Sequence, residues 1–157
     1  MNASVPRFLG AVAIIAVTLP TSADANAPVG QYVVTAGETG NGIVYDTKSK
    51  LTWQQTVSST AYYTWADAKT YCAGVGASLG GTGWRLPTFK ELQSLVDYSQ
   101  STAPMIDPNA FPSTPSAVFW SASPVAGSPS SAWSVNFSNG YTYYDAVSVT
   151  YNVRCVR

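Results

Sequence analysis

The chain has 157 residues, no formal net charge (eight basic and eight acidic side chains), 10 % charged residues and 13 % aromatic ones. A generic polyanion binder carries a basic excess, so nucleic acid is a poor match for this composition. Histidine is absent, which removes Ser-His-Asp and Cys-His catalysis, histidine metal sites and the commonest general base.

At the start, Arg7 precedes the apolar run "FLGAVAIIAVTL" (8–19), and Pro20 and "TSADANA" follow. A basic start, a short apolar centre and an A-x-A site read as a secretory signal peptide over 1–25. Ala23-Asp24-Ala25 places the cut before Asn26; the alternative after Ala27 fits less well, because Pro28 would follow it. Twelve residues are too few to cross a bilayer, so no membrane span is expected after cleavage. The expected product is secreted, periplasmic or on the cell surface. It has about 132 residues (157 − 25), one domain by size, and losing Arg7 and Asp24 leaves it neutral.

Residues 26–39 read as a tether giving way to a first strand, "QYVVTA", and 40–157 as the domain proper. "GIVYDTKSKLTWQQ" (42–55) alternates apolar and polar residues around a turn at Asp46–Lys50, the pattern of a β-hairpin. In "YYTWADAKTYCAGVGASLGG", Thr64 suits an N-cap and Trp65, Ala68 and Cys72 recur at helical spacing until the glycines from Gly74. A second helix begins in "GWRLPTFKEL" (83–92). Pro87 fixes its entry, Thr88 and Glu91 match a capping box, and Leu92, Leu95 and Val96 give an apolar face, with an end expected near Asp97–Tyr98. Arg85, between a glycine-rich helix exit and this capped start, is expected to satisfy backbone carbonyls with its five fixed donors.

"STAPMIDPNAFPSTPS" (101–116) reads as a proline-punctuated surface loop. "AVFWSAS" (117–123) reads as a short strand and "PVAGSPSS" as a connector. "AWSVNFSNGYTYY" (132–144) is the clearest hairpin signal, with Asn139-Gly140 suited to a type I′ turn. "YNVRCVR" (151–157) is expected to close the chain as a strand. Val153, Cys155 and Arg157 would lie on one face, with Arg154 and Val156 on the other. Cys72 and Cys155 are the only cysteines. In an exported chain an even count favours a disulfide over two separate thiols. The loop would be 83 residues long (155 − 72), worth roughly 4–5 kcal/mol in the chain-entropy model.

Together these elements make an α+β domain. The ordered set "GIVYDTKSKLTWQ", "WADAKTYC", "GWRLPTFKELQSLVDYS", "FPSTPSAVFWSAS", "AWSVNFSNG" and "VRCVR" resembles the Lcl C-terminal domain family over about residues 40–157. This family is named for the C-terminal domain of a bacterial collagen-like adhesin. Trp84, Arg85, Leu86, Pro87, Thr88 and Glu91 carry its central motif. The resemblance implies a C-type-lectin-like fold, with two helices on short antiparallel sheets and one long-range disulfide. It also implies an exported location and no established catalysis. For the founding adhesin it implies trimers and binding to sulfated glycosaminoglycans. This chain has no Gly-x-y collagen segment, and its neutrality gives no basic surface for a sulfated polymer. The lectin-like enzymes that share "RLPT" depend on additional cysteines absent here.

Glu91, Asp97 and Asp107 are the carboxylates near enough in sequence to suggest glycoside hydrolysis, but Glu91 is more simply a cap. "DPN" (107–109) and Asp145 offer oxygens for calcium. The Glu-Pro-Asn loop and Trp-Asn-Asp strand of calcium lectins are missing, and no cofactor is expected. The tryptophans, Trp53, Trp65, Trp84, Trp120 and Trp133, sit inside regular elements and read mostly as core. After the tight hairpin, Tyr141 and Tyr143 fall on one face and Tyr144 on the other. Trp133, Asn136, Asn139, Tyr141, Tyr143 and Asp145 are therefore the candidate ligand-binding residues, with rings to stack on sugar C–H groups and polar atoms for hydroxyls. Tyrosines lining a half-buried sheet are the competing explanation. The expected activity is non-catalytic binding of a glycan or surface macromolecule; the alternative is a structural or protein-interaction module of the envelope.

Overall fold

The computed structural model describes residues 27–37 and 41–157; the expected signal peptide, its cut before Asn26 and residues 38–40 lie outside them. Strands β1 (Tyr32–Thr35), β2 (Ile43–Asp46) and β3 (Thr52–Gln54) form an antiparallel sheet in that order. Val44 pairs with Trp53, and both are fully buried, while their neighbour Tyr45 points to the exposed side. The turn falls where the sequence predicts it. The Asp46 carboxylate accepts from the Lys48 amide at 2.9 Å and the Ser49 hydroxyl at 2.7 Å, so the turn closes on its own side chain.

Helix α1 (Trp65–Gly74) is capped as expected by Thr64, and Ala68 and Cys72 form its buried face. A further short turn, α2 (Gly76–Leu79), ends at Gly80 with φ 73. Helix α3 (Phe89–Gln93) has the full Thr88–Glu91 capping box. It stops earlier than its apolar spacing predicts. The Ser94 amide is shared between the Lys90 and Glu91 carbonyls, and those of Leu95 and Val96 reach back only three residues. The backbone tightens into 3₁₀ turns, and the Asp97 amide leaves to bond Met105.

A second antiparallel sheet holds β4 (Val118–Val125), β5 (Ser128–Asn136) and β6 (Tyr141–Ala146) in that order. Here the expected connector at 124–131 is corrected: most of it belongs to a hairpin. Only Ala126-Gly127 turns the chain, with Gly127 at φ 77. The β4–β5 register is irregular between Trp120 and Val125. Pro124 and Pro129 fall in that region, where a ladder tolerates proline.

The segment 151–157 is extended but makes isolated bridges rather than a regular strand. It runs between β3, bonded through Thr52 and Gln54, and the Arg85 backbone. Its alternation is as expected, yet both faces are buried. Val156 joins a core with Val44, Trp53, Leu92, Phe111 and Phe137. Val153 and Cys155 join a second core with Ala68, Cys72, Trp84 and Trp120. The Cys72–Cys155 disulfide, with Cα atoms 5.3 Å apart, ties α1 to this segment.

The 101–116 segment is also corrected. It is not a surface loop throughout, because Ile106, Ala110, Phe111 and Thr114 are buried. Polar spacing hid a few apolar anchors that fill the first core. Of the tryptophans, Trp53, Trp84 and Trp120 are buried, and Trp65 and Trp133 are half-buried. Among the described residues no helix is long and apolar enough to cross a membrane.

Candidate functional site

Arg85 does not do what its position suggests. Its guanidinium grips the Glu91 carboxylate with two bonds of 2.8 and 2.7 Å, and reaches a backbone carbonyl only weakly, Leu86 O at 3.4 Å. Glu91 simultaneously accepts the Thr88 amide at 2.7 Å. The Arg85 bond, with the Thr88 contacts, holds its carboxyl down at about 2 against the opposing effect of burial. The motif is thus a fastener built from an ion pair on a capping box.

The carbonyl-satisfying role falls instead to Arg154, which sequence reasoning left without one. It is fully buried and donates to Gln54 O at 2.6 Å, Gln55 O at 2.5 Å and Thr114 Oγ1 at 2.7 Å. Its guanidinium carbon lies 4.6 Å from the centre of the Phe111 ring. Burial pushes its pKa down to about 9, partly offset by Tyr32, so the group is still a cation at neutral pH.

At the β5–β6 hairpin the expected two-residue type I′ turn is corrected. The loop has four residues, Phe137 to Gly140, with Asn136 opposite Tyr141. Gly140 alone among them has positive φ (76), whereas a type I′ turn needs two such residues. The Gly140 amide reaches Asn136 O at 2.8 Å, and Tyr98 donates to Gly140 O at 2.8 Å. Asn139 holds the turn, accepting from the Tyr141 amide and donating to Tyr143 Oη. Asn136 accepts the Ser138 amide, and Asp145 accepts from Ser134. These three polar candidates therefore brace the hairpin. Trp133 packs between Phe89 and Tyr144, with ring centres 5.2 and 5.5 Å away.

The tyrosines divide as alternation predicts. Tyr143 lies opposite Ser134, and Tyr144 opposite Trp133. Tyr141, Tyr143 and Tyr144 are 62 %, 42 % and 60 % exposed, and Tyr98, which sequence reasoning missed, is 65 % exposed. No local pattern marks Tyr98; it reaches the hairpin through tertiary packing alone.

The carboxylates raised for chemistry are dispersed among structural roles. Asp107 Oδ1 accepts the Asn109 and Ala110 amides, and Oδ2 accepts the Ala27 amide. Burial pushes the Asp97 carboxyl up, but bonds from Ser99 and Gln100 outweigh it and leave it below its usual range. Asp97 and Asp107 both line a small cleft of about 170 Å³ with Tyr32, and Glu91 is not part of its wall. Burial, then Asp46, Asp107 and Asp97, push the Tyr32 hydroxyl upward. A neighbouring cleft of about 270 Å³ shares Tyr32 and Asp107. A third, of about 310 Å³, opens between the end of β3 and α1–α2. Among the described residues no three His, Cys, Asp or Glu side chains gather where they could hold a metal ion.

The model of the Lcl C-terminal domain matches residues 42–157, which takes in β2 through the terminal segment and both halves of the disulfide. No curated protein matches the chain.

Proposed function

The chain belongs to the Lcl C-terminal domain family, an adhesin-associated family, and from that premise we propose an exported, non-catalytic, C-type-lectin-like binding domain. Its ligand is a glycan or another surface macromolecule, taken on the tyrosines of β6. The observation that carries this reading is the exposure of Tyr141, Tyr143, Tyr144 and Tyr98 around one hairpin. Rings left in water on a braced turn are pre-placed for stacking, with little ordering cost on binding. The Cys72–Cys155 disulfide supports export, since such bonds persist in oxidising compartments. The long-range bridge from the first helix to the last segment supports the lectin-like fold. The engagement of Glu91 in its ion pair supports a non-catalytic role.

Electrophoresis of the folded protein through native gels containing dextran or heparin tests this function. Retardation in at least one matrix is expected; unchanged mobility in both would count against it. One observation favours a protein-interaction module instead: β6 is an outer strand of its sheet, and such edges can pair with another chain. Capture of an envelope protein that competing polysaccharide leaves undisturbed would support that alternative.

A further inference from the structure

The cleft between the end of β3 and α1–α2 differs in chemistry from the other two. Its walls carry amides and hydroxyls from Asn41, Gln54, Thr56, Ser58, Tyr71 and Ser78, with apolar contributions from Val57 and Leu79. None of these is a carboxylate or a basic group. An ion entering it would lose hydration without meeting a countercharge. An apolar ligand would strand the wall's donors and acceptors. At about 310 Å³ it lies at the lower end of the volumes that hold small molecules, about 300–1,000 Å³.

One side of the wall is fixed in advance, while opposite it the Thr56 hydroxyl donates to Asn41 Oδ1 at 3.5 Å. Gln54 donates from Nε2 to Tyr71 Oη at 3.0 Å and accepts the Cys155 amide at its Oε1 at 3.2 Å. The Tyr71 ring is stacked on Tyr63, centres 4.8 Å apart. Tyr71 adjoins Cys72 and Gln54 bonds Cys155, so the disulfide clamps the two sides of the cleft together. Because Tyr71 Oη already accepts from Gln54, its own proton is left to donate. Ser78 uses its proton on Val75 O, leaving its oxygen to accept. Uncharged donors and acceptors, braced at Gln54 and Tyr71 and set beside two aliphatic groups, match a ring that carries several hydroxyls and an aliphatic C–H face.

We propose that this cleft binds an uncharged polyhydroxylated ring, a neutral sugar or a cyclitol, through Asn41, Thr56, Tyr71 and Ser78. The site is separate from the tyrosine hairpin and does not rest on it. The test is a ¹H–¹⁵N NMR titration of the folded, oxidised protein with glucose, galactose, N-acetylglucosamine, myo-inositol and glucose 6-sulfate, each to about 50 mM, a range that reaches weak single-ring affinities. Saturable shifts at Thr56, Tyr71 and Ser78 with at least one neutral ring, and weaker ones with the sulfate, are expected. Response to the sugars or to inositol alone distinguishes the two sources. Tyr71→Phe and, independently, Ser78→Ala are each expected to weaken binding about fivefold or more, whereas Tyr141→Ser leaves it unchanged. The second variant keeps the test sound if Tyr71→Phe disturbs Gln54. No saturable shift at the cleft with any neutral ring, or preference for the sulfate, overturns the proposal.

Discussion

Arg154 donates to the Gln54 carbonyl at 2.6 Å from a fully buried position one hundred residues further along the chain. Among the described residues its cation has no carboxylate partner, and the ion pair there is the one between Arg85 and Glu91. What stabilises Arg154 is its set of oxygens and the Phe111 face, and its Nε has no partner among the described residues. The same guanidinium closes the end of β3 and, through Thr114, pins the 101–116 segment against the first core.

Arg154→Lys is expected to cost about 2–4 kcal/mol, since one ammonium cannot serve two carbonyls and a hydroxyl and would remain buried. Arg85→Lys should cost less than about 1 kcal/mol, because that side chain is 45 % exposed and its pair is screened. Urea unfolding of both variants checks the ranking. A larger loss at Arg85 would mean that the visible motif, rather than the terminal arginine, holds the fold.

The Arg85–Glu91 pair also sets a pH dependence. The folded chain holds the Glu91 carboxyl at about 2, below its ordinary 4.5, so on acidification the unfolded chain takes up this proton first. Its contribution is therefore complete above about pH 4.5 and lost as pH falls toward 2. With screening at the half-exposed arginine the amount is about 1 kcal/mol or less. Glu91→Gln should flatten that part of a stability–pH curve; an unchanged acid limb would assign it to other carboxylates.

Removing the disulfide as Cys72→Ala/Cys155→Ala is expected to cost about 2–5 kcal/mol. Both cysteines are fully buried, so lost packing adds to the freed 83-residue loop. Thermal denaturation of the double variant is the check. A melting temperature equal to that of the parent would show that the two cores hold the terminal segment without the bond.

Gly140 is a point where backbone freedom and close packing coincide. A Cβ there would lie 2.6 Å from Tyr98 Cε1 and 2.8 Å from Val96 Cγ1, on a residue with φ +76. Gly140→Ala should destabilise by about 1–3 kcal/mol and free the Tyr98 ring. Its hydroxyl bond to Gly140 O would then be lost, visible as altered tyrosine fluorescence or NMR shifts. Parent-like stability would show that the hairpin can move away from Tyr98.

Local chemistry was readable wherever a side chain acts within a few residues. The Asp46 turn, the Thr64 cap, the Thr88–Glu91 box and the alternation of Tyr143 and Tyr144 all lie within that range. What sequence missed was set by distant partners. Arg154 and Arg85 are both arginines in extended backbone, and only the fold decides which is buried against carbonyls. Phe111 lies among prolines and polar residues, yet its partners in β1 and the first core make it interior. Asn139-Gly140 is a strong turn signal, but Tyr98 packing and the Asn136 carbonyl select a four-residue loop. The hairpin that carries the candidate residues was legible in the sequence, whereas the hydrogen bonds that tie Asn136, Asn139 and Asp145 into it were not. The neutral cleft has no sequence signature, because Gln54, Tyr71 and Ser78 come from separate elements that line it together only in the fold.

The central claim, that the exposed tyrosines of the β5–β6 hairpin take part in binding, is tested most directly by a glycan array. The parent protein and Tyr141→Ser/Tyr144→Ser would be probed side by side at matched melting temperatures. Binding by the parent to at least one glycan class is expected, weakened about tenfold or more in the variant, as loss of central aromatic contacts would give. Binding that survives in the variant, or none by the folded parent, would contradict it.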